Sequence, residues 1–302
     1  MRTKRKNKTL LLIAIFLLAV AILAIVIGLL KEEQPEPDPH EGQVYINDGF
    51  GMVWMTPLEG VEVNPIQRSE MRVVNGRPDY TGSAFETMYG VDVSEHQWDI
   101  DWSQVADSGV DFAMIRLGYR GYTEGGLFED PYYKSNMDNA LANGLEVGVY
   151  MFSQAISVEE AVEEAEFVIE RLEGYDVTMP VVFDWERMED AVARTEGMHE
   201  NTQLLTDCAV AFCQKIEEAG YDACVYFNRH LGYYGFDLSK LTDYKFWIAL
   251  PGTFPDFYYA SELWQYSFES EVPGIEGPTD MNMLFVPVAT PSPSPSPAEG
   301  TE

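Results

Sequence analysis

The sequence predicts an α/β fold: a modified TIM-like (β/α) barrel with reduced helices in the last third, preceded by a single N-terminal transmembrane helix. Three observations predict it. Roughly eight short apolar stretches recur within roughly 200 residues, and helical stretches separate the earlier ones, as in parallel sheets covered by helices. Polar residues follow the apolar stretches, which is where such barrels place their functional side chains. A long N-terminal run of apolar residues carries no charge.

The first element is that uncharged run, which has 22 residues and covers positions 9–30. A helix needs about 20 apolar residues to span a membrane, whereas a cleavable signal has an apolar core of about 7–15. Five basic residues and no acidic ones occupy positions 1–8, and the positive-inside rule therefore places this tail in the cytoplasm. We expect a single-pass anchor in the cell membrane, with all later residues outside the cell.

The next segments differ in composition. Residues 31–42 are rich in proline and acids and predict a linker. Residues 43–85 predict a small β segment of unknown role, in which Asn75 begins an Asn-Gly hairpin turn. The barrel domain is predicted over residues 86–288. The Pro/Ser repeat within residues 289–302 predicts a disordered tail.

The predicted barrel strands are short and apolar. In chain order they are MYGVDVSEH, VDFAMIRLGY, LEVGVYMFSQA, MPVVFDWE, YDACVYFNR, YKFWIAL, SELWQYS and TDMNMLF. The predicted helical segments are DWSQVADSG, PYYKSNMDNALANG, SVEEAVEEAEFVIERLEG and TQLLTDCAVAFCQKIEEAG. In the third helix, Ser157 and Glu160 form the sequence pattern of a capping box. Its alanine, valine and leucine stripe predicts a buried face, and its glutamates are expected to face solvent.

Composition excludes some functions. After residue 30 the chain has 50 acidic and 14 basic residues, so its surface repels nucleic-acid phosphates and nucleic-acid binding is excluded. Cys208, Cys213 and Cys224 are interpreted as buried small side chains. The four histidines are scattered and no zinc-ligand spacing occurs. We therefore predict no metal site and no cofactor.

Two acids, Asp184 and Glu186, end the apolar stretch VVFDWE. Residues two apart in a strand share a face, so both carboxylates point the same way. Two neighbouring carboxylates repel, and one is expected to keep its proton through a raised pKa. Hydrolysis of a glycosidic bond needs this combination, a proton donor beside a negative group. Asp92 and Asp280 lie at other predicted strand ends. The alternative is a pair of solvated acids leaving an edge strand.

Aromatic and polar residues near the same strand ends are candidate substrate contacts, because flat aromatic faces suit sugar rings. The candidates are Tyr150, Trp185, Tyr226, Trp247, Trp264, Gln265 and Arg116.

Four motifs, in order, resemble glycoside hydrolase family 25, the lysozymes of bacterial and phage origin. They are YGVDVSEHQWDIDW, VGVYMF, VVFDWE and LWQYSFESEVPGIEGPTDMNMLF, spread over residues 89–285. The resemblance implies cleavage of the β-1,4 bond from N-acetylmuramic acid to N-acetylglucosamine in peptidoglycan. It implies that Glu186 is the general acid, Asp184 the second carboxylate, and Asp92 and Asp280 the flanking active-site aspartates. It also implies an active-site role for Tyr150.

The sequence departs from the family pattern at Arg116 and Tyr119, and at Leu250 and Pro251, which affects the expected sugar contacts. Three mechanisms stay open: a covalent nucleophile, a water between the two acids, or attack by the substrate's own 2-acetamido oxygen. The last is our hypothesis. Two other functions also remain as alternatives: a chitinase-like glycosidase, and an inactive membrane-anchored module that binds peptidoglycan. We expect a monomer in a Gram-positive bacterium that remodels its own cell wall.

Overall fold

The computed structural model describes residues 2–29, 38–188 and 192–288. The chain divides into two compact units, Met1–Gln43 and Val44–Glu302. The predicted linker at 31–42 lies partly outside the described residues, and the predicted tail at 289–302 lies wholly outside them.

The first unit contains one long helix, α1 (Arg2–Leu29). Its segment Leu10–Gly28 is long and apolar enough to cross a membrane, although an N-terminal signal sequence has the same properties. The helix begins before the apolar run that predicted it, so the backbone of the basic tail is also helical.

The second unit begins with two β-hairpins. The first pairs β1 (Val44–Asn47) with β2 (Met52–Met55), and the second pairs β3 (Met71–Val74) with β4 (Arg77–Tyr80). The predicted Asn-Gly turn is confirmed, because Asn75 has a φ of 51° between β3 and β4. Left-handed backbone of this kind is typical of tight hairpin turns.

The segment between the hairpins packs on the barrel domain. Val61 and Ile66 are buried in the apolar core that also contains the outward-facing side chains of the barrel strands. The Leu58 N–H donates a hydrogen bond of 2.8 Å to the Tyr259 hydroxyl, and the Asn64 side-chain amide donates one of 2.8 Å to the Pro255 carbonyl. These contacts involve the connection after the sixth barrel strand, where the structure has no α-helix.

Eight strands close a barrel, which confirms the predicted fold. They are β5 (Phe85–Val93), β6 (Phe112–Arg120), β8 (Glu146–Ser153), β9 (Val181–Trp185), β10 (Ala223–Asn228), β11 (Lys245–Ala249), β12 (Leu263–Ser270) and β13 (Thr279–Pro287). A short strand, β7 (Leu127–Glu129), pairs with β6 outside the barrel. Closure comes from β5, which pairs with both β6 and β13.

The last strand corrects one expectation, because the sheet is not wholly parallel. Strands β5 to β12 of the barrel run parallel to their neighbours, but β13 is antiparallel to both β12 and β5. The physical reason is the connection from β12 to β13. It spans residues 271–278 and contains no helix, and a parallel crossover needs about a dozen residues or more.

Helices cover the first two thirds of the barrel. They are α2 (Trp102–Asp107), α3 (Tyr133–Ala142), α4 (Val158–Leu172) and α5 (Thr202–Glu218). At the start of α4, the Ser157 hydroxyl accepts from the Glu160 N–H, as predicted, but the Glu160 carboxylate accepts from the Ile156 N–H. The three cysteines are buried and free, which confirms their interpretation as small core side chains.

The acidic residues of α4 are not all solvated, which is a second correction. Glu164 is fully buried. Arg120, at the end of β6, donates to the Glu164 carboxylate at 2.7 Å and to the Glu163 carboxylate at 2.8 Å. Arg194 pairs with Glu160 at 2.5 Å. We call these five residues the arginine cluster. Glu164 is buried because the arginine beneath α4 supplies its counter-charge.

Candidate active site

Four acids meet in one cavity of about 390 Å³ at the carboxyl ends of the parallel strands. Asp92 ends β5, Asp184 is on β9, and Glu186 follows β9 directly. Asp280 is near the start of β13, and because that strand is antiparallel its start lies opposite Asp92 in the sheet register. We call these four side chains the carboxylate site.

Strand alternation positions the central pair. In β9, Val182 belongs to the core inside the barrel, whereas Phe183 belongs to the core outside it. Asp184 therefore points inward, like Val182, and Glu186 is the next inward position. Asp184 is 4% exposed, and Glu186 is half-buried and closer to solvent.

Burial and charge repulsion raise the pKa values of this pair. Burial, followed by the charges of Glu186 and Asp92, raises the pKa of Asp184 well above its ordinary value. Burial and Asp92 also raise the pKa of Glu186. One Asp184 carboxylate oxygen is buried without a hydrogen-bond partner in the described part of the chain. Raised pKa values favour the protonated carboxyl group, which is the form that donates a proton in general acid catalysis.

Gln265, on β12, joins the two flanking aspartates. Its amide nitrogen donates to Asp92 at 3.0 Å and to Asp280 at 3.1 Å. Burial raises the pKa of Asp92 to about 6, although the amide donors oppose this. Burial and the Asp92 charge raise the pKa of Asp280 to about 8. These two acids are thus held together, with a proton retained between them near neutral pH.

Further side chains fix this network. The Asn282 amide donates to Asp92 at 2.7 Å, and the Trp247 indole N–H donates to the Asn282 carbonyl oxygen at 2.8 Å. The Tyr226 hydroxyl donates to the Gln265 carbonyl oxygen at 2.8 Å. Sequence reasoning missed Asn282. The available signal was its spacing, because it lies two residues after Asp280 on the same strand face.

Arg116 also lines the cavity. Its guanidinium donates to the Asp130 carboxylate at 2.8 Å and to the Glu95 carboxylate at 2.9 Å. The Arg116 charge lowers the pKa of Asp184, but less than burial raises it. Arg116 forms its ion pairs with Asp130 and Glu95, and it makes none with the carboxylate site in the described structure.

Three of the predicted aromatic residues, Tyr150, Tyr226 and Trp247, line the cavity together with Gln265. The Trp247 ring lies edge-on to Tyr226, with ring centroids 4.8 Å apart, and its centroid is 6.2 Å from that of Tyr150. The Tyr150 hydroxyl donates to the Val93 carbonyl at 3.4 Å. These rings form an apolar wall beside the acids.

The placement predicted for Trp185 and Trp264 is corrected. Both are fully buried in the core outside the barrel and neither lines the cavity. The Trp264 indole N–H donates to the Leu250 carbonyl at 2.7 Å. The reason is strand alternation: each tryptophan is next to an inward residue, Asp184 or Gln265, and so points to the opposite face.

Gln154 binds the backbone of the site at Glu186. Its amide donates to the Glu186 carbonyl at 3.0 Å, and its carbonyl oxygen accepts from the Thr195 hydroxyl at 2.8 Å. Gln154 is fully buried, so it fixes the chain at Glu186 immediately after the strand ends. The sequence places this residue at a strand end but does not reveal what it binds.

Comparison with known proteins identifies relatives of this arrangement. The family model "Glycosyl hydrolases family 25" matches residues 91–275, more than half of the chain. The autolytic lysozyme of Clostridium acetobutylicum is 28% identical over 197 residues, which cover 65% of this chain and 55% of that protein. Lysozyme M1 of Streptomyces globisporus is 26% identical over 261 residues, 82% of this chain and 80% of that protein.

A solved structure shares the fold. The modular autolysin LytC from Streptococcus pneumoniae, solved with a synthetic peptidoglycan ligand, aligns with a TM-score of 0.58 at 23% identity. The alignment covers 80% of this chain and 56% of that one. The matched family model spans Asp92, Asp184 and Glu186, and the barrel brings those acids to one cavity. The chain belongs to the glycosyl hydrolases of family 25.

Proposed function

We propose that this protein is a muramidase that hydrolyses the β-1,4 bond between N-acetylmuramic acid and N-acetylglucosamine in peptidoglycan. The observation that carries the proposal is the carboxylate site, in which buried acids with raised pKa values meet beside an aromatic wall. Two relatives that align over much of the chain are named lysozymes. Paired carboxylic groups are the chemistry that glycosidic hydrolysis requires.

In this proposal, Glu186 donates the proton to the glycosidic oxygen as the bond from that oxygen to C1 breaks. Its half-buried position supports the role, since the carboxyl group is accessible from the cavity yet its pKa is raised by burial. After the leaving sugar departs, the Glu186 carboxylate takes a proton from the water that attacks C1.

We assign Asp184 to the substrate's 2-acetamido group. The acetamido oxygen forms a bond to C1 as the glycosidic bond breaks, and this new bond breaks in turn when water attacks C1. Asp184 accepts a hydrogen bond from the acetamido N–H and orients the group. The unpartnered buried oxygen of Asp184 supports this role, because that oxygen has no other donor in the described structure. Asp92 and Asp280, which share the Gln265 donor, supply negative charge beside the developing oxocarbenium centre.

The proposed location is the outer face of the cell membrane of a Gram-positive bacterium, with helix α1 as a single-pass anchor and residues 1–8 in the cytoplasm. The length and composition of Leu10–Gly28 support it. A monomer tethered in this way acts on wall close to its own membrane. Cell fractionation tests the anchor: recovery of a soluble form that lacks the N-terminal helix would contradict it.

The experiment for the activity uses the full-length protein in detergent on purified wall sacculi. Mass spectrometry is expected to find muropeptides with a reducing N-acetylmuramic acid. Reducing ends on N-acetylglucosamine would indicate a different bond, and binding without release would favour the inactive wall-binding module. Proton NMR of the first-formed product is expected to find the retained anomer, and an inverted anomer would exclude attack by the acetamido oxygen.

A further inference from the structure

Trp98 has a strained backbone. It follows the helical turn Glu95–Gln97 and has a φ of 49° and a ψ of −134°. Glycine adopts this region freely, but a bulky L-residue is an outlier there. The other non-glycine residue with positive φ in the described chain is Asn75, whose type tolerates such turns.

Packing does not offset this strain. The Trp98 residue is 59% exposed. In residues 38–188 and 192–288 its indole N–H makes no hydrogen bond, and its ring contacts no other ring or cation. A large side chain on a strained backbone with so little packing is not explained by stability, and strain of this kind concentrates at functional sites.

Trp98 lies beside the cavity on a rigid turn. The two residues before it, His96 and Gln97, line the cavity. The Trp98 N–H donates to the Glu95 carbonyl at 3.2 Å. The Glu95 N–H donates to Asp130, and the Glu95 carboxylate accepts from Arg116, at 3.0 and 2.9 Å. The turn that carries the indole is therefore tied to the barrel wall.

We propose that the exposed indole of Trp98 is a stacking platform for an uncharged N-acetylhexosamine ring of a glycan strand, just outside the cavity. The inference rests on the proposed function, because a polymeric substrate extends beyond a cavity of about 390 Å³. An aromatic face offers a large apolar contact for a sugar ring at little loss of side-chain freedom. Nearby acids, Glu95 and Asp99, favour the uncharged N-acetylglucosamine rings of the strand over an anionic lipid headgroup.

The test uses full-length protein in detergent with Glu186→Gln as background, so that glycans bind without being cleaved. The probes are peptidoglycan glycan strands without stem peptides, separated into short and long fractions. Trp98→Gly and Trp98→Ala are expected to weaken binding of long strands about fivefold to tenfold, by analogy with aromatic ring pairs, and to leave short fragments little changed. Trp98→Phe is expected to retain most of the affinity.

The strain provides a control that separates binding from folding. Trp98→Gly relieves the backbone and is expected to raise the melting temperature, whereas Trp98→Ala is not. Equal losses of long-strand binding in both variants would exclude a folding artefact. Asn75→Gly, which relaxes the other positive φ in the turn between β3 and β4, is the matched control and is expected to leave binding unchanged.

Long-strand affinity that survives Trp98→Gly would overturn the inference. So would a loss that appears on anionic lipid vesicles instead of glycans. The proposed activity is tested separately. If the unmutated protein cleaves no wall but its glycan binding still depends on Trp98, the result supports the stacking platform and contradicts the muramidase assignment.

Discussion

Two regions of the molecule, the arginine cluster and the carboxylate site, contain buried acids in different surroundings. In the arginine cluster, every glutamate pairs with an arginine: Arg120 binds Glu163 and Glu164, and Arg194 binds Glu160. In the carboxylate site, none of the four acids forms an ion pair with a basic residue of the described chain. Its hydrogen-bond donors are neutral amides from Gln265 and Asn282.

The difference lies in what the negative charge can do. Arg120 supplies a counter-charge for the buried Glu164 and a hydrogen bond to one of its carboxylate oxygens, so the arginine cluster joins α4 to the barrel. Neutral amides orient a carboxylate without cancelling its charge, and the roles proposed for the carboxylate site, proton transfer and stabilisation of a cation, require this. Burial raises the pKa of Glu164 to about 7 even beside Arg120, so a raised pKa alone does not distinguish the proposed catalytic acids. The four acids of the carboxylate site differ from Glu164 in that none of them forms an ion pair within the described chain.

The largest expected effect separates the two regions by activity. Glu186→Gln is expected to lower kcat/KM about 10²- to 10⁴-fold, because the amide cannot donate the proton. The free energy of unfolding of this variant is expected to stay equal or rise, because the substitution removes one of four carboxyl groups that repel each other. Release of reducing ends and thermal unfolding measure the two quantities. A variant that loses stability along with activity would contradict the distinction.

The second prediction concerns the arginine cluster. Arg120→Met is expected to cost about 3–5 kcal/mol of unfolding free energy, because it leaves Glu164 buried without its counter-charge. Activity per folded molecule is expected to be unchanged. Chemical denaturation measures the loss. The double variant Arg120→Met with Glu164→Leu is the control, and it should recover much of the stability; a double variant as unstable as the single one would argue against the buried charge as the cause.

A smaller effect is expected at the bridge between the flanking aspartates. Gln265→Leu removes the amide that donates to Asp92 and Asp280, and loss of a buried donor costs about 1–3 kcal/mol. We expect kcat to fall about tenfold. The Gln265 donor lowers the pKa of Asp92, so the variant's pH–rate profile should shift to higher pH. Tyr226→Phe, which removes only the hydroxyl behind Gln265, should shift the profile less.

The smallest effect is a change in the pH dependence of stability. Asp92 and Asp280 have folded-state pKa values raised from 3.8 to about 6 and about 8. The folded state therefore binds more protons than the unfolded state between about pH 4 and 8, and these residues make stability fall as pH rises through that range. Asp280→Asn is expected to reduce the slope. Melting temperatures measured from pH 4 to 8 test it, and an unchanged slope would argue against proton retention by Asp280.

Sequence patterns predicted the barrel and the meeting of the four acids, because strand ends and i, i+2 spacing are local features. Alternation along VVFDWE also indicates that Trp185 points away from Asp184, whereas its position next to the acids in sequence suggests a substrate contact. The buried state of Glu164 was not predictable from α4 alone, because it depends on Arg120, forty-four positions away in sequence. The strain at Trp98 was not predictable either, because the residues next to it in sequence do not indicate a positive φ.

The antiparallel last strand has a consequence for the timing of activity. Asn282 binds Asp92 across 190 positions of sequence, so the first and last barrel strands complete the site together. A chain that is still being synthesised lacks Asp280 and Asn282 until nearly all of the barrel has left the ribosome. The nascent protein is therefore expected to be inert toward the wall, and its hydrolytic capacity to arise in one step when the barrel closes.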